Sequence, residues 1–65
     1  MRLRIDIENK ARIFTVLQID MNMRCVLGFI GREDIAIWHS FDGFSDAQID
    51  RLETAYKKNG KNYRY

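Results

Sequence analysis

Arg12-Ile13-Phe14-Thr15-Val16-Leu17-Gln18-Ile19-Asp20 and Arg24-Cys25-Val26-Leu27-Gly28-Phe29-Ile30 are the two stretches whose reading decides the fold. Both are rich in β-branched and aromatic residues, which suit a pleated backbone. Met21-Asn22 between them is a turn, because Asn tolerates positive φ. Each run is apolar on both faces. Period-two alternation sets Ile13, Leu17 and Ile19 against Phe14 and Val16 in the first run, and Cys25, Leu27 and Phe29 against Val26 and Ile30 in the second.

Upstream, residues 2–8 place Leu3, Ile5 and Ile7 on one side and Arg2, Arg4, Asp6 and Glu8 on the other, the pattern of a half-buried strand. Glu8-Asn9-Lys10-Ala11 is a polar break suited to a hairpin. Downstream, Gly31-Arg32-Glu33-Asp34 interrupts the pattern, and Ile35-Ala36-Ile37-Trp38-His39 supplies a fourth strand. Short strands joined by short breaks make an antiparallel meander.

The helix has the clearest local signals. Ser45-Asp46-Ala47-Gln48 is a capping box, and Phe44 and Ile49 occupy the two positions of a hydrophobic staple. Asp46 and Asp50 suit the positive end of the dipole, and Lys57 and Lys58 the negative end. Asn59-Gly60 offers a left-handed C-cap. Residues 46–58 should therefore be helical, with Ile49, Leu52, Ala55 and Tyr56 on one face and Glu53 placed to pair with Lys57. The expected architecture is a single α+β domain spanning residues 1–65. A four-stranded antiparallel β-meander (strands near 2–8, 12–20, 24–30 and 35–39) precedes one C-terminal α-helix. The tail 59–65 either adds a short fifth strand or orders on the sheet.

A helix of about 13 residues is roughly 20 Å long and covers one face of a small sheet. The second apolar face then needs a second body. The chain of 65 residues and 7.8 kDa can hide only about 60% of its unfolded surface, and its one cysteine rules out the internal disulfide that would otherwise brace so small a core. A homodimer is the expected remedy, being the commonest closed assembly, with a protein partner as the other occupant and self-coverage by the tail as the competing arrangement. The face carrying Phe14, Val16, Val26, Ile30 and Trp38, or the opposite set, is the one to be covered. Phe41, followed by Asp42-Gly43, reads as a surface anchor in an exposed turn, whereas Trp38 also reads as core filling.

Chemistry is sparse. Cys25 and His39, with Asp34 or Asp42 as an orienting acid, form the one thiol–imidazole candidate, yet Cys25 lies in an apolar run and reads as an inert core thiol. Asp42, Asp46 and Asp50 stand four apart, but helix electrostatics account for them better than a metal shell does. Gly28, Gly31 and Gly43 fit no phosphate-cradling pattern. No catalytic residue, cofactor, metal or small-molecule substrate is therefore expected. The start of the chain alternates charge and lacks an apolar leader, no stretch is long enough to span a membrane, and a lone thiol suits a reducing compartment, so a cytoplasmic location is expected.

Charge distribution supplies the second functional candidate. Residues 1–54 carry seven basic and nine acidic side chains, whereas 55–65 carry Lys57, Lys58, Lys61 and Arg64 with no acid. Interleaved with Tyr63 and Tyr65, these cations suit phosphates and stacked bases. The expected function is thus binding: a small non-enzymatic regulatory protein of the kind viral or mobile-element genomes use to modulate a host protein. The alternative is a nucleic-acid module built on the basic tail and the strand arginines.

Overall fold

The computed structural model describes residues 1–59 and 63–64. In chain order it contains β1 (Arg2–Ile7), β2 (Lys10–Asp20), β3 (Cys25–Ile30), β4 (Ile37–Ser40), a 3₁₀ turn (Phe41–Gly43), α1 (Asp46–Asn59) and β5 (Tyr63–Arg64). The sheet runs β1-β2-β3-β4, antiparallel throughout, with α1 following it, as the sequence predicts. The fifth strand pairs antiparallel with β2, Gln18 opposite Arg64 and Ile19 opposite Tyr63, and so prolongs the β1 side of the sheet.

Glu8 and Asn9 close the first hairpin with φ of 52° and 66°, the two positive values of a type I′ turn, whose twist matches that of the strands. The second hairpin uses the four residues 21–24. The Asp20 carboxylate accepts from Met23 N–H at 3.1 Å, and Arg24 takes φ 50° to re-enter the strand. At the end of β3, Gly31 (φ 59°) donates its N–H to Ile13 O at 2.7 Å. β4 starts at Ile37, two residues later than expected. Ile35, read as a strand residue, is 75% exposed in the preceding connection.

A bulge in β2 changes which side chains are internal. Val16 pairs with Gly28, but Gln18 pairs with Leu27, so Leu17 is the extra residue. The alternation is reset there, and Ile19 joins Phe14 and Val16 on the helix side rather than Ile13 and Leu17 on the other.

Leu52 of α1 is buried with Leu3 and Ile5 of β1, Phe14, Val16 and Ile19 of β2, Val26 of β3, and Phe41 and Phe44. Ile30, Ile37, Ile49, Ala55 and Tyr56 pack at their margin. Phe14 lies over Gly28, where an added Cβ would fall 2.5 Å from the ring. Its ring meets His39 at 5.7 Å and Phe44 edge-on at 5.7 Å. The His39 Nε2 is buried with no hydrogen-bond partner, pressed against Gly43.

The capping box forms as read: Ser45 Oγ accepts from Gln48 N–H at 3.3 Å, and Gln48 Oε1 accepts from Ser45 N–H at 3.0 Å. The same Gln48 amide donates from Nε2 to Arg4 O at 2.6 Å. Because Val16 N–H donates to Met1 O, the odd-numbered residues of β1 address β2, while Arg2, Arg4 and Asp6 turn their backbone groups to the free edge. Gln48 therefore pins α1 to that edge. The helix reaches Asn59, and the Gly60 cap lies outside the described residues.

Candidate functional site

Among the described residues no element covers the sheet face turned away from α1. Alternation and register put Arg2, Arg4 and Asp6 of β1 on it, with Ile13, Thr15, Leu17 and Asp20 of β2, Cys25, Leu27 and Phe29 of β3, and Trp38 of β4. Ile13 is 49% and Trp38 51% exposed, and Leu17, Leu27 and Phe29 are half-buried. Leu27 lies directly opposite Trp38, and Thr15 opposite Phe29. The centre is thus apolar and aromatic with a charged margin, including the Arg4–Asp6 ion pair at 3.6 Å. β5 adds in the plane of the sheet, so its described residues extend the sheet without crossing this face.

The structure redistributes the expected contact residues. Phe14, Val16 and Val26 are fully buried beneath α1 and Ile30 is half-buried beside them, so these four belong to the helix-side core and not to an outer surface. Trp38 lies on the opposite face from them. Phe41, expected as the exposed anchor, is 1% exposed. Ser40 Oγ accepts from Asp42 N–H at 3.2 Å, the chain winds into a 3₁₀ turn, and the ring is carried inward with the Arg24 guanidinium 4.9 Å above it. The working set on the open face is therefore Ile13, Leu17, Leu27, Phe29 and Trp38. Alternation assigned Ile13, Leu17, Leu27 and Phe29 away from Phe14 and Val26, but it grouped Trp38 with Phe14 and Ile19 with Leu17, and the structure reverses both.

Cys25 and His39 do not meet. Cys25 is on the open face and half-buried rather than in the core, while His39 sits between Phe14 and Phe44 on the helix side. Burial, and then the neighbouring Asp20 carboxylate, push the Cys25 thiol above the ordinary thiol range, the reverse of what a nucleophile needs. Among the described residues no three His, Cys, Asp or Glu side chains come together to hold a metal ion, and no helix is long and apolar enough to cross a membrane. The Glu53–Lys57 pair is not formed: among these residues the one ion pair is Arg4–Asp6.

Lys57 and Lys58 are exposed in the last turn of α1. Lys61 and Tyr65 lie outside the described residues, as do the side chains of Tyr63 and Arg64. Comparison of the chain with protein-family models, with curated proteins and with solved structures finds no match.

Proposed function

We propose that this protein is a non-enzymatic accessory protein that regulates by binding, and that the open sheet face is its protein-recognition surface, engaged first by a second copy of the chain. The observation that carries this reading is the half-exposed Trp38, sharing with Leu17, Leu27 and Phe29 a face that no element of the described residues covers. An aromatic and aliphatic centre with a charged rim is the anatomy of a protein interface, and Trp is the residue most often found at its energetic centre. Size agrees. The domain measures 31 × 25 × 18 Å, so its broad face matches the roughly 800 Å² that each partner buries in a standard interface. The chain exposes 4775 Å², against about 4,400 Å² for a folded monomer of its mass.

Sedimentation equilibrium at micromolar concentration is expected to return twice the 7.8 kDa chain mass, and Trp38→Ser is expected to return the single mass without loss of fold. A wild-type mass near 7.8 kDa would remove self-association from the reading. The same Trp38→Ser variant should then lose any partner that a crosslinker placed on Cys25, beside this surface, captures.

A further inference from the structure

Arg2, Arg12 and Arg32 are ten and twenty positions apart in the chain, and the fold brings all three to one cleft. They line one cleft of about 480 Å³, with Ile13 and Thr15 of β2 as its floor. Arg2 enters from β1, Arg12 from β2 and Arg32 from the turn after β3, where the Gly31–Ile13 hydrogen bond holds the chain close. No carboxylate lines the cleft. Arg12, Arg2 and Arg32 have no acidic partner within ion-pair distance among the described residues, since the one ion pair there occupies Arg4.

Positive charge continues round the β1 edge. A groove of about 390 Å³ beside Met1 is lined by Arg51 and Lys58 of α1, with Asp50 as its single acid. Burial, then Arg2, then Arg51 hold the Met1 amino group below the usual range of a terminal amine, so both arginines stand close enough to repel the same ammonium. Cations packed together without carboxylates are electrostatically unfavourable alone and are stabilised by a bound anion.

We propose that Arg32, Arg12, Arg2, Arg51 and Lys58 form a track that binds the phosphate backbone of a nucleic acid. The cleft is too roomy for one inorganic anion to fill, and cations continuing round the edge suit a polymer charged at every residue. The lining chemistry also fits. Guanidinium forks match phosphate oxygens in pairs, and hydroxyl and backbone groups, here Thr15 and the Gly31–Arg32 segment, are common sugar–phosphate partners. This site is centred on the β1–β2 register rather than on the C-terminal tail, although β5 brings residues 63–64 alongside Gln18 and Ile19, next along that edge. The track shares Arg2, Ile13 and Thr15 with the open face and leaves Trp38 free on β4, about two strand spacings or 10 Å from β2.

The test is fluorescence anisotropy with labelled single-stranded and duplex oligonucleotides at about 50 and about 200 mM salt. About four phosphate contacts should make single-strand affinity fall about 50-fold across that range. Arg2→Gln/Arg32→Gln should weaken binding and flatten the logarithmic salt slope by about 1.4. Arg24→Gln/Lys57→Gln removes the same charge elsewhere and should leave affinity within about twofold. All four residues are exposed, and circular dichroism melting confirms that both variants fold. The proposal is overturned by absence of binding at the lower salt, by equal losses in the two double variants, or by tighter binding of a glutamate-rich peptide of equal charge.

Discussion

The two faces of β2 and β3 are almost equally apolar in sequence and opposite in fate. On one, Phe14, Val16, Ile19 and Val26 are shut beneath α1; on the other, Leu17, Leu27 and Phe29 lead out to a half-exposed Trp38. Hydrophobicity therefore does not choose the inner side here. The choice follows from shape: Gly28 leaves a hollow on one face into which the Phe14 ring settles, and Phe41, Phe44 and Leu52 close over it. The opposite face carries Leu17, Leu27, Phe29 and Trp38, and among the described residues no element meets them. The sheet thus satisfies one side with its own helix and leaves an apolar set outside that core.

That division can be broken most severely at Phe14. Phe14→Ala should cost about 3–5 kcal/mol in urea denaturation, enough to unfold a marginal domain. Leu27→Ala, on the other face, should change the stability of the single chain by less than about 1 kcal/mol while removing any dependence of stability on protein concentration. Equal losses at the two sites would show that both faces are interior. Gly28→Ala tests the shape argument directly. Its new Cβ would collide with Thr15 O and the Phe14 ring, so a loss of roughly 1–3 kcal/mol is expected. A neutral result would mean that the hollow does not select the inner face. Smallest is Ser45→Ala, which should cost about 1 kcal/mol through the lost cap and lower the thermal midpoint with no effect on open-face association.

Local physics made most of the fold legible. Helix α1 could be placed because its cap, staple and terminal charges lie within a few residues of one another, and β1 because its alternation is clean. The bulge at Leu17 could not be read, since Leu17 and Ile19 are both apolar and keep the same parity, so alternation runs through the point where the backbone slips. Phe41 misled for a related reason. Phe-Asp-Gly has the composition of an exposed turn, and only the Ser40 cap and the winding of the turn carry the ring inward. The candidate interface was half legible, as two opposed apolar sets without a rule for which one the helix takes. The arginine cleft was illegible because its members come from two strands and a turn far apart in sequence, with no local pattern to link them.

The Gln48 side chain, tying the helix cap to the Arg4 carbonyl, has a consequence for growth. Strands with bare edges recruit further strands, and a molecule that also joins face to face would then extend in two directions. By occupying an outward carbonyl of β1, this one amide obstructs lateral strand addition at that border. The border where β1 could recruit a further strand is thereby closed by the helix that packs on the sheet.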